Sequence, residues 1–101
     1  MSYTIKFSPE ATDDLTEILG WYKEQPTPNL QKKFITAIST AFKILEKSPK
    51  SYALRFKNVR CATLKKYPYL VYYWVDDALQ IINIVAILHQ ARHPKNWKKR
   101  L

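Results

Sequence analysis

The feature that most constrains the fold is a change in hydrophobic pattern at Pro49. Before it, two stretches place apolar residues at helical spacing, which is typical of helices that bury one face. After it, three runs are rich in β-branched and aromatic residues, which is typical of strands. These runs are VRCATLKK (59–66), YLVYYWV (69–75) and LQIINIVAIL (79–88). The order predicts helices first and a sheet second.

The limits of the helices follow from residues that start or break them. Ser8 is suited to cap a helix, and Pro9 to be its first residue, where a missing N–H costs nothing. The sequence QPTP (25–28) cannot continue a helix, because proline lacks the donor and restricts the residue before it. We therefore expect helices at 9–25 and 28–47, joined as an antiparallel hairpin.

The strand-like runs are separated by short turns, Tyr67-Pro68 and Asp76-Asp77-Ala78, which predicts an antiparallel meander. YTIKF (3–7) alternates apolar and polar residues as a further short strand would. The expected fold is α+β, a single domain over residues 1–101. Its helical hairpin packs on one face of a three- to four-stranded antiparallel sheet.

The middle strand is apolar or aromatic on both faces, although the two helices can cover only one. Val71, Tyr73 and Val75 share the face that suits a helix-packed core. Tyr72 and Trp74, with polar groups on large rings, suit a face that meets water, a ligand or a partner. We therefore expect an open aromatic face opposite the helices.

The net charge of +9 lies almost entirely in the second half of the chain. Residues 1–50 hold 7 lysines against 6 acidic residues, whereas residues 51–101 hold 10 basic residues against 2 aspartates, a net +8. Such a field attracts polyanions, and it suits an acidic protein partner equally well. The acidic residues Asp13, Asp14 and Glu17 lie off the apolar stripe of the first helix, so we expect them to face water.

Composition excludes several classes of protein. The chain has one glycine and one cysteine, so it offers neither a glycine-rich phosphate loop nor a disulfide framework. Unpaired Cys61 favours a reducing cytoplasm and is most simply a small buried side chain. The sequence suggests no signal peptide or membrane span, and no metal or cofactor is expected.

Three stretches together resemble the RelE/ParE superfamily of type II toxin–antitoxin toxins. They are SPEATDDLTEILGWY (8–22), VRCATLKKYPYLVYYWVDD (59–77) and IVAILHQARHPKNWKKR (84–100). A strand ending in His-x-x-Arg-x-Pro-x-x-Trp looks like the ParE and plasmid-stabilisation branch. The resemblance implies a small bacterial toxin, neutralised by a co-encoded antitoxin whose flexible segment wraps it. One branch of the superfamily cleaves mRNA on the ribosome, and another poisons DNA gyrase.

RNA cleavage would need proton transfer at the 2′-OH and leaving oxygen, together with positive charge on the phosphate. Arg60 and Arg92 could hold the phosphate, while His89 or His93 handles protons. Each has a plainer interpretation as well. His89 could cap the sheet with a hydrogen bond, and His93 could belong to a surface turn. Arg60 is a functional candidate only if it points to the face of Tyr72.

The binding alternative uses other residues. The predicted target-binding residues would form a surface of this protein that docks on gyrase. They are Lys65, Lys66, Arg92, Lys95, Trp97, Lys98 and Arg100. Trp97 could instead anchor the terminal turn. The predicted contacts with an acidic, amphipathic antitoxin segment are Trp21, Leu70, Tyr72 and Trp74. For Trp21, packing against the flank of its helix is the alternative.

The absence of a tyrosine near the C-terminus bears on the choice between gyrase inhibition and mRNA cleavage. The mRNA-cleaving members of the superfamily often use such a tyrosine, whereas the last tyrosine here is Tyr73. The terminal aromatic is Trp97, which cannot act as an acid or base. Gyrase inhibition is therefore preferred, with ribosome-dependent mRNA cleavage as the alternative. A non-toxic basic module that binds RNA or DNA is a third possibility.

Overall fold

The structure of the protein is a computed structural model that describes residues 2–91 and 96–100, with the backbone alone at Asn96 and Trp97. The elements, in chain order, are β1 (Thr4–Phe7), α1 (Pro9–Lys23), α2 (Leu30–Lys47), β2 (Leu54–Phe56), β3 (Val59–Thr63), β4 (Tyr69–Asp76), β5 (Ile81–His89) and the short 3-10 helix η1 (Asn96–Arg100). Within these described residues, neither α-helix combines the length and apolar character needed to cross a membrane.

Both predicted helices form, and they pack as an antiparallel hairpin. The Ser8 hydroxyl accepts a hydrogen bond from the Ala11 N–H at 3.0 Å, which confirms the predicted cap of α1. The end of α1 meets the start of α2 where the rings of Tyr22 and Phe34 stack with centroids 5.1 Å apart. Compared with the expected limits, α1 ends two residues earlier and α2 begins two residues later.

The sheet has five strands in the order β1-β5-β4-β3-β2. The predicted meander of β3, β4 and β5 is confirmed. The expected strand number and all-antiparallel character are corrected. β1 pairs parallel to β5, because the intervening helices carry the chain across the sheet before it returns. β2 adds a short edge strand of three residues whose pairing with β3 is irregular.

The helices cover the predicted face of the sheet. Buried side chains from both helices, including Ala11, Ile18, Phe34, Ile38 and Leu45, join sheet residues in one core. Val71 and Tyr73 are fully buried in that core, as expected of the valine face. The Tyr73 hydroxyl donates to the Pro49 carbonyl at 2.8 Å, and burial raises the pKa of this phenol to about 12.

The opposite face of the sheet forms a second buried cluster, of Val59, Cys61, Tyr72, Val85, Ala86 and Leu88. Tyr72 keeps only 4% of its surface exposed, so the expectation of an open aromatic face is wrong at this residue. The short helix η1 contacts two strands of the sheet at this cluster. Its Lys98 ammonium lies 4.7 Å from the ring centre of Phe56 on β2, and its Arg100 donates to the Val85 carbonyl of β5 at 3.1 Å.

Candidate functional site

His89 is the last residue of β5 and pairs with Tyr69 of β4. The two rings meet edge to face, with centroids 5.4 Å apart. The Nδ1 atom of His89 accepts a hydrogen bond from the Ala91 N–H at 3.1 Å. The neutral ring therefore carries its proton on Nε2. The histidine makes the capping hydrogen bond of its plainer interpretation.

His89 lines a pocket of about 120 Å³ between α1 and the end of β5. One wall is formed by α1 residues at helical spacing, namely Asp14, Glu17, Ile18 and Trp21. The other wall includes Tyr69, Ile87 and His89. Among the residues that the structure describes, no lysine or arginine lines this pocket. Within the part of the chain that the structure describes, the charged groups that line the pocket are the carboxylates of Asp14 and Glu17.

Arg60 does not point to the face of Tyr72. It pairs with Tyr73, and paired residues of neighbouring strands point to the same side of a sheet, so Arg60 shares the helix-packed side. Its guanidinium donates to the Tyr52 carbonyl at 2.7 Å and, more weakly, to the Lys50 carbonyl at 3.4 Å. Arg60 is a functional candidate only on the face of Tyr72, and it does not lie there. Its guanidinium instead holds the loop before β2 through these hydrogen bonds.

Arg60 and His89 are also far apart along the sheet. They pair with β4 at Tyr73 and Tyr69, respectively. This separation of four residues corresponds to about 13 Å along a strand. The described chain therefore does not bring these two predicted catalytic residues together.

An ion pair between Asp14 and Arg100 links α1 to η1. Arg100 donates twice to the Asp14 carboxylate, at 2.6 and 3.1 Å, and this carboxylate raises the pKa of Arg100. The same carboxylate accepts the Ile87 N–H at 3.0 Å. We call the contacts among Asp14, Arg100, Ile87 and the Val85 carbonyl the clasp. The expectation that Asp14 faces water is wrong, because it is half-buried at the end of β5.

The sequence of residues 5–94 matches the model of a family described as ParE toxin of type II toxin-antitoxin system, parDE. The chain belongs to the ParE toxin family. It is therefore a toxin of a type II toxin–antitoxin module, as the resemblance of its sequence implied. No curated protein sequence matches the chain.

Solved structures show the same fold. The chromosomal ParDE system from P. aeruginosa is 23% identical, with a TM-score of 0.72, and the match covers 87% of this chain and 96% of that one. The RelBE2 toxin–antitoxin complex from M. tuberculosis is 20% identical, with a TM-score of 0.59, over 88% and 99%. A mutant of the E. coli toxin RelE in the free state is 13% identical, with a TM-score of 0.69, over 99% and 94%.

The predicted target-binding residues of this ParE-family toxin are only partly described. Lys65 and Lys66 are exposed in the turn between β3 and β4, where Lys66 has a positive φ of 71°. Lys98 is exposed beside the Phe56 ring. Arg100 is held in the clasp by Asp14, and its role in target binding stays a prediction. Predictions for Arg92, His93, Lys95 and the Trp97 side chain lie outside the described residues.

The predicted antitoxin contacts of the ParE-family toxin differ in exposure. Trp21 is 47% exposed, and its ring meets Tyr22 edge to face at 5.1 Å. Leu70 and Trp74 are half-buried on the second face, whereas Tyr72 is buried. A partner that approaches the folded toxin can therefore reach Trp21 without displacing other parts of the chain.

The described residues contain no group of three or more His, Cys, Asp or Glu side chains that could hold a metal ion. The buried thiol of Cys61 lies in the second cluster, where burial raises its pKa. A raised pKa keeps the thiol protonated at neutral pH, so Cys61 is a packing residue rather than a nucleophile.

Proposed function

We propose that this toxin inhibits DNA gyrase through a binding surface, without cleaving RNA, and that a co-encoded acidic antitoxin neutralises it. The observation that carries the proposal is the acidic pocket of His89. A histidine that cleaves RNA must work next to a phosphate. The same pocket is lined by Asp14, whose charge is paired with Arg100, and by Glu17, which no ion pair among the described residues neutralises. Like charges placed against each other oppose binding, so this pocket disfavours a phosphodiester.

The gyrase contact is proposed for exposed basic residues. Lys65 and Lys66 project from one turn, and Lys98 and Lys99 are exposed on η1. Arg92, Lys95 and Trp97 stay predicted contacts of the same kind. Growth arrest in the bacterial cytoplasm, and stabilisation of a plasmid that carries the module, would follow from gyrase inhibition.

The antitoxin partner is proposed on two grounds. The solved structures with this fold include a ParDE system and a RelBE2 toxin–antitoxin complex. The net charge of +9 also favours rapid association with an acidic chain. We propose that Trp21, Leu70 and Trp74 contact this antitoxin. Tyr72 would take part only after a local rearrangement, because it is buried in the folded toxin.

Ribosome-dependent mRNA cleavage is the second candidate. It is favoured by the match to RelE, which covers 99% of this chain, and by the Nε2 atom of His89, which its capping hydrogen bond leaves available. In this case His89→Ala should lower cleavage by roughly 10²–10⁴-fold, the usual cost of losing a general acid or base. For gyrase inhibition, His89→Ala should change nothing, and Gln90→Ala provides a matched exposed control.

The deciding experiment measures both activities of the same purified toxin. One assay follows supercoiling of relaxed plasmid by gyrase, and the other maps cleavage of a reporter mRNA during translation in vitro. We expect inhibited supercoiling and intact mRNA. Normal supercoiling with cut mRNA would overturn the proposal. Salt-dependent nucleic-acid binding without growth arrest on expression would instead support the non-toxic binding module.

A further inference from the structure

Strand β5 extends farther than β1, the strand that pairs with the edge of β5 facing away from β4. β1 pairs with β5 from Ile81 to Ile84, and among the described residues no strand pairs with that side of β5 from Val85 to His89. Unpaired strand edges offer backbone groups to a new partner. The clasp occupies part of this edge, because Arg100 donates to the Val85 carbonyl and Asp14 accepts the Ile87 N–H.

The pocket of His89 lies directly beyond the clasp. It has a volume of about 120 Å³, below the roughly 300–1,000 Å³ of sites for small organic ligands. A pocket of this size suits a single side chain of a larger partner. The lining specifies its chemistry, since Glu17 supplies a carboxylate, Trp21 a ring that is 47% exposed and Ile18 an apolar floor.

The clasp shows how this surface holds a guanidinium. Asp14 takes Arg100 with two hydrogen bonds, and the Val85 carbonyl supplies a third acceptor. The same pair of acceptors recurs one step farther along. Glu17 follows Asp14 by three residues, about 4.5 Å along a helix, and Ile87 follows Val85 by two residues, about 6.6 Å along a strand. The Ile87 carbonyl points to the same side as its N–H, towards α1.

We propose that the pocket binds one arginine side chain from an extended antitoxin segment that lies along the free edge of β5. Glu17 and the Ile87 carbonyl accept from the guanidinium, and the Trp21 ring stacks on its plane. Arginine fits better than lysine, because its planar group pairs with a carboxylate through two bonds and stacks on aromatic rings. No ion pair among the described residues occupies Glu17.

Charge complementarity explains why one basic residue belongs in an acidic partner. An acidic segment is attracted to the basic half of the toxin, but it meets carboxylates where it passes α1. An arginine at that point converts a repulsive contact into an attractive one, and so fixes the register of the segment. The inference rests on the proposed antitoxin partner, although its test does not require the antitoxin.

The test uses the peptide acetyl-Thr-Val-Arg-Val-Thr-amide as a probe, titrated into ¹⁵N-labelled full-length toxin. A matched peptide replaces arginine with citrulline, which keeps the shape and removes the charge. We expect saturable shifts of the Trp21 indole N–H and the backbone amides near Leu88 with the arginine peptide alone. Glu17→Gln should weaken binding about tenfold, the scale of one lost charge-assisted hydrogen bond. Asp13→Asn, on the same helix but outside the pocket, should leave it unchanged.

Equal binding of the two peptides, equal effects of Glu17→Gln and Asp13→Asn, or no saturable shift at millimolar peptide would overturn the inference. Amide spectra show whether each variant is folded. A separate assay asks whether the adjacent gene relieves growth arrest. If it does and the pocket ignores arginine, only this inference fails. If the pocket binds arginine and no neutralising partner exists, the proposed function fails in its antitoxin part.

Discussion

Replacing Asp14 with alanine removes every hydrogen bond that its carboxylate makes in the clasp. The Ile87 N–H then loses its acceptor, and an unsatisfied buried donor costs about 1–3 kcal/mol. Arg100 loses a partner that accepts two of its hydrogen bonds. The side chains of Arg100 and Asp14 keep 22% and 12% of their surface exposed, so water compensates in part. We expect a loss of about 2–4 kcal/mol in the free energy of unfolding, at or below the ~3–5 kcal/mol for a fully buried pair.

The coupling between the two side chains is obtained from a double-mutant cycle of Asp14→Ala and Arg100→Ala. Urea unfolding gives each stability, provided that the slope with denaturant stays constant. We expect a coupling energy of about 1–2 kcal/mol. The Lys50–Asp77 pair is the control, because its side chains are 53% and 56% exposed, and its coupling should not be resolved. A clasp coupling no larger than that of the control would refute this account.

Two further predictions concern the core and the basic surface. Between pH 10 and 12 the unfolded chain loses the Tyr73 proton before the folded chain does, so stability should fall by about 2–3 kcal/mol from this group. The Tyr73→Phe variant has no phenol to ionise, so it does not lose this stability. In urea unfolding, the variant should be less stable than the wild type at pH 8, and this difference should shrink and then reverse towards pH 12. Replacing Lys65 or Lys66 with glutamate should weaken gyrase inhibition in part in the supercoiling assay, and replacing both should weaken it further without abolishing it. The same change at exposed Lys32 and Lys33 of α2 should have little effect, and equal effects would contradict the proposed surface.

The parts of the fold that depend on neighbouring residues could be predicted from the sequence. Ser8 and Pro9 define the start of α1, because capping requires only the next few residues. The parallel pairing of β1 could not be predicted, since Thr4 finds its partner at Ile81, far along the chain. β2 is missing from the prediction because three residues are too few to show an alternating pattern.

The candidate site shows the same limit. His89 stands out in the sequence, but its acidic neighbours come from α1, more than 70 residues earlier. Arg100 and Asp14 are 86 residues apart, and no local pattern links them. The face of Arg60 depends on the register between β3 and β4, which the sequence left open. The sequence therefore indicated which residues were candidates for a site, whereas the residues that contact them could be identified only from the structure.

The distribution of acidic residues connects folding with recognition in this toxin. Four of the eight acidic residues lie between positions 10 and 17, on a helix of a chain whose net charge is +9. Asp14 holds Arg100 against β5, and Glu17 lines the pocket that we propose for an arginine of the partner. Exposed charges are screened by salt more than partly buried pairs, so salt should slow association of an acidic partner before it opens the clasp. The same helix can then secure its own chain and still select the register of another.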